Sequence, residues 1–200
     1  MRQDEIWNGE TAERYDTPGT GMFAPEVLDP AVDRLAALAG DGPVLEFAIG
    51  TGRVAVPLAG RGVRVSGIEL SVPMVERLRS KADAATIPVV IGDMATATAP
   101  GEYSLVYLVY NTISNLLEQA EQVACFRNAA RHLKPGGRFD RAGGAGTART
   151  AARPAGGGLR DRARIRRRGH LMGELAGFAL EHRHSDWSGS DSLTSISHRR

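Results

Sequence analysis

The chain has 200 residues and a mass of 21.3 kDa, enough for one domain with its own core, or for one domain with a tail. Hydrophobic residues make up 42% of it, yet the longest uninterrupted apolar run, 105–110, is far too short to span a membrane. The polar N-terminus and the single cysteine exclude a signal peptide and a disulfide framework, so we expect a cytoplasmic protein.

The net charge of +2 conceals two oppositely charged parts of the chain. Residues 141–168 contain nine Arg and one Asp, so this window carries +8 and the rest of the chain carries −6. The excess of basic residues lies in this one window, so the net charge says little about what the remaining chain binds.

Apolar periodicity and turn residues predict alternating helices and strands after a mixed lead-in at 1–28. In chain order we predict a helix opened by Asp29-Pro30 and ended by Gly40, a strand at 44–47, a helix at 53–59, a strand at 63–68, a helix from Ser71 to about Lys81, strands at 88–91 and 104–109, and a helix at 118–133. This order predicts an α/β fold with a Rossmann-like, doubly wound, mostly parallel sheet.

The pattern changes where a fifth strand should run. The residues at 134–137 predict a turn, and Arg138-Phe139 begins an extended segment. A central strand of such a sheet should be continuously apolar, but the sequence continues with Asp140-Arg141. We therefore predict that the regular pattern breaks at Asp140.

This break divides the chain into three parts. We predict a core at 1–139, a segment rich in Arg, Gly and Ala at 140–168, and a remnant of the same domain at 169–200. The remnant contains a predicted short helix near 171–175 and a predicted strand at 178–182.

Three interpretations of the 140–168 segment stay open. Low hydrophobicity and high charge are typical of disorder. Clustered arginines also bind nucleic-acid phosphates, although this segment lacks aromatic residues for base stacking. The third interpretation is out-of-frame translation, because GC-rich DNA yields Arg, Gly and Ala when it is translated in a shifted frame. The segment also begins where the fifth strand should continue.

A glycine turn between the first strand and the next helix carries the first chemical signal. Its sequence is VLEFAIGTGR at 44–53. Glycine lets a ligand approach the backbone, and a helix start offers free N–H groups. Alone the turn is a weak signal, because Gly50-x-Gly52-x-x-Ala55 also satisfies the dinucleotide-binding fingerprint.

Three acids stand in register with this turn. Glu46 precedes Gly50 in the motif, Glu69 ends the second strand, and Asp93 follows the third. An acid at the end of the second strand can accept hydrogen bonds from both ribose hydroxyls, and an acid after the third strand can accept one from an adenine amino group. Here the sequence resembles the class I S-adenosylmethionine-dependent methyltransferases, most closely the small bacterial members with an E-x-x-x-G-T-G-R turn.

The resemblance covers about residues 10–139 and includes the segments at 67–74, 105–112 and 133–139. It departs at Ala48, where the family usually has glycine. It implies S-adenosyl-L-methionine as the cofactor and a small molecule as the methyl acceptor.

The resemblance also implies a set of cofactor-site residues. These are Tyr15, Glu46, Ala48, Gly50, Gly52, Glu69, Leu70, Met74, Asp93, Met94 and Leu108. The resemblance implies that Glu46 orders the glycine turn and that Ala48, Gly50 and Gly52 face the methionine moiety. Glu69 would hold the ribose, Leu70 and Met74 would lie beside the adenine, and Asp93 and Met94 would bind the adenine edge. Leu108 would lie near the sulfonium, and Tyr15 would close the pocket.

In-line methyl transfer needs alignment and exclusion of water more than a strong acid or base. No catalytic base stands out in the sequence, and Asn111 is a residue that could orient a substrate. A methyltransferase homologue that binds the cofactor but is catalytically impaired remains the alternative, because a lost fifth strand would remove part of the substrate wall.

Two further functions are less favoured. A nicotinamide-dependent dehydrogenase fits poorly, since a helix precedes the first strand and Glu46 lies inside the glycine motif. An Arg-rich nucleic-acid-binding protein rests on the 141–168 window alone. We also expect no metal site, because His182-x-His184 with Asp186 lacks a third ligand at a distinctive spacing.

Overall fold

The computed structural model describes residues 6–110 and 112–142, and the backbone of two later strands at 178–185 and 191–198. Its strands are β1 (Val44–Phe47), β2 (Val65–Glu69), β3 (Val89–Ile91), β4 (Tyr103–Val109), β5 (Leu133–Ala142), β6 (Phe178–Ser185) and β7 (Asp191–His198). They form one sheet in the order β3-β2-β1-β4-β5-β7-β6. The strands β1 to β5 are parallel, and β7 runs antiparallel between β5 and β6.

Five α-helices accompany the sheet over the described ranges, with two short 3-10 helices at Gly21–Phe23 and Thr112–Asn115. The α-helices are α1 (Gly9–Tyr15), α2 (Pro25–Ala39), α3 (Ala55–Gly60), α4 (Val72–Arg79) and α5 (Gln119–His132). Local side chains set where two of them begin. The Ser71 hydroxyl accepts from the Met74 amide at the start of α4, and Glu118 and Glu121 form a capping box at the start of α5.

The core lies on both faces of the sheet. One face packs against α5, with Phe47 and Phe139 buried beside Phe126. The other face packs against α2, α3 and α4, with Leu35, Leu58 and other side chains fully buried. Complete burial of each such side chain contributes about 1.5–3 kcal/mol, so the strands are held from both sides. The doubly wound α/β fold predicted from the sequence is confirmed.

One predicted helix start is wrong. Helix α2 begins at Pro25, after Ala24 as N-cap, and not at Asp29-Pro30. Pro25 stands in the first turn, where a missing N–H costs nothing. Pro30 therefore lies inside the helix. The predicted end is right, because Gly40 takes a positive φ of 55° just after the last helical residue.

The predicted break at Asp140 is also wrong for the first residues of that segment. Strand β5 continues to Ala142, and Asp140 pairs with Tyr107 of β4. The fourth strand therefore has its neighbour, and the loss of the fifth strand expected above does not occur over 138–142. Residues 143–168 and the helix predicted near 171–175 lie outside the described residues. The strand predicted at 178–182 is confirmed as β6, whereas β7 was not predicted.

A charged pair explains how β5 tolerates an acid at its centre. The Asp140 side chain is fully buried, and Arg34 of α2 donates to its Oδ1 over 2.8 Å. Burial raises the pKa of Asp140 to about 7, and the Arg34 guanidinium opposes that shift. The partner lies 106 residues earlier in the chain, so the pair is invisible to strand periodicity.

Candidate functional site

A cleft opens at the carboxyl ends of β1, β2 and β3. Open α/β sheets bind ligands at this edge. The cleft is lined by Trp7, Tyr15, Ala48, Gly50, Ile68, Glu69, Leu70, Met74, Gly92, Asp93, Met94, Thr112, Asn115 and Leu116. Its wall therefore combines the glycine turn, the ends of β2 and β3, the lead-in and the turn after β4.

The glycine turn alternates left-handed residues. Ala48, Gly50 and Gly52 have φ values of 51°, 58° and 78°. A side chain added at Gly50 would meet only the Ala48 carbonyl, at 4.0 Å, so the turn leaves open space there. A Cβ on Gly52 would lie 2.5 Å from the Leu78 Cδ1 of α4. Gly50 thus opens the cleft, while Gly52 lets the turn approach α4.

Glu69 locks this turn from the end of β2. Its Oε2 accepts from the Gly50 amide over 2.8 Å, and its Oε1 accepts from the Ser71 amide over 2.9 Å. Burial raises the pKa of Glu69, and the Ser71 and Gly50 amides oppose the shift. Each oxygen keeps a further lone pair, so the carboxylate can still accept hydroxyl hydrogens from a ligand.

Asp93 organises the loop after β3. Its Oδ1 accepts from the Ala95 amide over 2.7 Å, and its backbone carbonyl accepts from the amides of Thr96 and Ala97. Asp93 and Met94 both line the cleft. A carboxylate and an apolar side chain on one loop suit a flat heterocycle that carries an amino group.

Glu46 lies buried beneath the turn. Tyr107 donates its hydroxyl to Glu46 Oε2 over 2.9 Å. Burial raises the pKa of Glu46 to about 8, and the Tyr107 hydrogen bond and the Arg53 charge oppose this shift. The guanidinium of Arg53 lies over the rings of Phe23 and Tyr110, with its Cζ atom 5.7 and 4.9 Å from the two ring centres.

The lead-in closes over the cleft. Trp7, Tyr15 and Phe23 make successive edge-to-face contacts, with ring centres 5.9 and 6.0 Å apart. Asp16 fastens this segment, because Thr51 donates to its Oδ1 over 2.6 Å and Lys81 Nζ lies 2.7 Å from its Oδ2. Burial raises the pKa of Tyr15, which therefore stays protonated as a hydrogen-bond donor.

Comparisons with known proteins decide the family. The family described as "Methyltransferase domain" matches residues 44–137. The CcbJ methyltransferase from Streptomyces caelestis is 26% identical, with a TM-score of 0.71 over 96% of each chain. The chain belongs to the class I S-adenosylmethionine-dependent methyltransferases.

Two further relatives of this methyltransferase chain are informative. The cypemycin N-terminal methyltransferase from Streptomyces sp is 30% identical over 78% of this chain and 66% of its own. The glycopeptide N-methyltransferase MtfA, solved with S-adenosyl-L-methionine, is 29% identical over 56% of this chain and 52% of its own, with a TM-score of 0.50. The cofactor is accordingly S-adenosylmethionine. The chain spans between 42% and 66% of the curated relatives it matches.

The structure brings most of the predicted site residues of the methyltransferase together. Eight of them line the cleft: Tyr15, Ala48, Gly50, Glu69, Leu70, Met74, Asp93 and Met94. Three do not line it. Glu46 lies below the turn, Gly52 faces α4, and Leu108 is fully buried in the core that packs against α5.

Other residues of the cleft wall escaped sequence reasoning. Thr112, Asn115 and Leu116 follow β4 in a 3-10 helix at Thr112–Asn115 and the residue after it, a segment too short to show periodicity. Ile68 and Gly92 lie next to predicted site residues, and their adjacency to Glu69 and Asp93 was the available signal. Trp7 of the lead-in also lines the cleft.

Two negative findings apply to the described part of the chain. No helix there is long and apolar enough to cross a membrane. No group of three or more His, Cys, Asp or Glu side chains there could hold a metal ion. Asn111 and Asp186 lie outside the described residues, and the side chains of His182 and His184 are not described. The substrate-orienting role of Asn111 and the expected absence of a metal site at 182–186 therefore stay predictions.

Proposed function

We propose that this chain transfers the methyl group of S-adenosylmethionine to an amine of a small peptide-like or glycosylated acceptor. The observation that carries the proposal is the convergence of Glu69, Asp93 and the open glycine turn on one cleft. Glu69 would accept the ribose hydroxyls, Asp93 and Met94 would contact the adenine edge, and the turn around Gly50 would face the methionine moiety.

The charge of the cleft wall supports a cationic ligand. Its described lining contains two carboxylates, Glu69 and Asp93, and no Lys or Arg. Aromatic rings of Trp7 and Tyr15 complete the wall, and such rings also attract cations. Dinucleotides carry phosphates, which this lining would repel, whereas a sulfonium and an ammonium group suit it.

When bound, S-adenosylmethionine supplies an electrophilic methyl group, which passes to the acceptor's lone pair while the sulfur keeps the electrons of the broken bond. The residues of the chain align the reaction and exclude water from it. Asp16 holds the lead-in against the turn and α4, so Trp7 and Tyr15 cover the cleft. The acceptor nitrogen would release its proton to solvent, which requires no strong base.

The amine acceptor is proposed from two relatives. The cypemycin enzyme is named an N-terminal methyltransferase and the glycopeptide enzyme an N-methyltransferase. The turn Thr112–Asn115, which follows β4, lines the cleft with Thr112 and Asn115. The Thr112 hydroxyl donates to the Val109 carbonyl over 2.6 Å and can still accept a hydrogen bond from a methyl acceptor, and the Asn115 amide could also hydrogen-bond one without carrying charge.

Calorimetric titration of the 200-residue chain with S-adenosylhomocysteine tests the cofactor part, with NADH as control ligand. We expect saturable binding of S-adenosylhomocysteine alone; binding of NADH alone would contradict the proposal. Incubation with S-adenosylmethionine and a panel of peptides then tests the acceptor by mass spectrometry. We expect methylation of peptides with free N-termini and none of the same peptides when acetylated. Equal methylation of both would overturn the amine assignment.

A further inference from the structure

The loop at 92–99, which follows β3, is held from behind by helix α5. Asn128 of α5 is fully buried and donates its amide group to two loop carbonyls. The Asn128 Nδ2 atom lies 2.9 Å from the Met94 oxygen and 2.8 Å from the Ala97 oxygen. Both amide hydrogens are therefore used, and the two carbonyls fix which end of the amide faces the loop.

His132 holds the far end of the same loop. Its Nε2 accepts from the Ala99 amide over 2.9 Å, and its Nδ1 donates to the Asn128 carbonyl over 2.8 Å. Burial lowers the pKa of His132, which keeps the ring neutral with one accepting nitrogen. Neutral His132 and Asn128 thus bind the loop on the side opposite the cleft.

This arrangement does more than fill the core. The loop presents Asp93 and Met94 to the cleft, so Met94 both lines the cleft and gives its carbonyl to Asn128. An apolar residue at 128 would fill the same space but leave two carbonyls unpaired, so the loop would have to shift to satisfy them. The position of Met94 in the cleft therefore depends on the Asn128 amide.

We propose that Asn128, supported by His132, is a positioning residue that sets the adenine-binding end of the cofactor cleft. The proposal rests on the proposed function, because it assigns the adenine to the loop that carries Asp93 and Met94. Asn128 touches neither cofactor nor acceptor and acts through the backbone carbonyls of Met94 and Ala97.

The test compares Asn128→Ala with wild type by titration with S-adenosylhomocysteine and with adenosine. We expect both ligands to bind about tenfold more weakly, because two carbonyls lose their donors and the loop moves. Both should weaken by the same factor, since they share the adenine. Ser104→Ala is the matched control, because Ser104 is also buried and its hydroxyl, at the opposite edge of the sheet, lies within hydrogen-bond distance of the Ala39 and Pro43 carbonyls and can donate its one hydrogen to either.

The control should keep wild-type affinity while losing thermal stability. Wild-type affinity in a less stable Asn128→Ala chain would show a purely structural role and overturn the inference. Weaker binding of S-adenosylhomocysteine alone would contradict the adenine assignment. A wild-type chain that binds neither ligand would instead overturn the proposed function, and the inference with it.

A second measurement covers the case in which Asn128→Ala does not fold. Amide hydrogen exchange of the ligand-free wild type reports on the loop directly. We expect protection at Ala97 and Ala99 before any ligand is added, because the loop is positioned in advance. Protection that develops only with adenosine would overturn the inference.

Discussion

Two buried carboxyls in this sheet, Glu69 and Asp140, have opposite surroundings. Glu69 ends β2, accepts backbone amides on both oxygens and faces a cleft. Asp140 lies within β5 and is held by Arg34 on one oxygen, while its Oδ2 meets no hydrogen-bond donor among the described residues. Because two backbone amides use only part of its lone pairs, the Glu69 carboxylate stays available to a ligand. The Asp140 carboxyl is instead buried in the core, where Arg34 balances its charge.

The difference separates a binding acid from a structural acid. Changes at Glu69 should alter ligand affinity, and changes at the Arg34–Asp140 pair should alter stability alone. The experiments below test this separation, and they begin with the largest expected effect.

Removal of the guanidinium by Arg34→Met should lower the free energy of unfolding by about 3 kcal/mol well above neutral pH, because buried Asp140 would have to stay ionised without a partner or take up a proton. The loss should shrink below pH 7, where Asp140 with its raised pKa of about 7 is protonated. Urea denaturation on both sides of neutrality measures this. The double variant Arg34→Met/Asp140→Leu should recover most of the stability, and equal loss in both variants would contradict the pairing.

The pH dependence of stability should carry a signature of Glu46. Its folded pKa of about 8 lies above the value of 4.5 for a free carboxyl, so the folded state holds a proton that the unfolded chain releases. The contribution of Glu46 to stability is therefore complete below about pH 4.5, and it is lost as the pH rises from there to about 8. Glu46→Gln should flatten the fall, as denaturation across the range would show. Identical slopes for both proteins would refute the assignment.

The close contact between Gly52 of the glycine turn and helix α4 leads to a smaller expected effect on stability. Gly52→Ala should cost about 2 kcal/mol of stability, from its left-handed φ and from the contact with Leu78. Gly62→Ala is the matched control, because Gly62 has a φ of 83° but open space around it. It should cost only the conformational part, about 1 kcal/mol. Thermal unfolding of both variants measures the difference, and equal losses would exclude the contact.

The smallest effect concerns the alanine that stands where the family usually has glycine. Ala48 has a φ of 51°, so Ala48→Gly should relieve strain and raise stability by up to about 1 kcal/mol, less the added entropy of the unfolded chain. The matched change Ala37→Gly, in the exposed part of helix α2, should lower stability by about 1 kcal/mol. A comparable loss at both positions would show that Ala48 is unstrained.

The part of the fold that local patterns determine was predictable. The apolar strands β1 to β4, the Ser71 cap and the acids at strand ends all follow from short-range sequence, and they gave both the sheet and most of the cleft. The start of α2 was missed because two prolines compete for it and Pro25 takes the first turn.

Long-range partners account for the rest. Strand β5 tolerates Asp140 because Arg34 meets it, and Asn128 and His132 matter because of carbonyls and amides more than thirty residues away. The wall formed by Thr112 and Leu116 comes from a single-turn 3-10 helix and the residue after it, which are too short to show a periodic pattern in the sequence. Such contacts depend on tertiary placement, which spacing along the chain does not encode.

The most direct test of the separation between the two acids is the affinity of S-adenosylhomocysteine for wild type, Glu69→Ala and Asp140→Asn. Calorimetry should show Glu69→Ala weakened by at least about 1.5 kcal/mol, more than tenfold, through loss of charge-assisted bonds to the ribose. Asp140→Asn should bind as wild type does. Wild-type affinity in Glu69→Ala would remove Glu69 from the site and contradict the account.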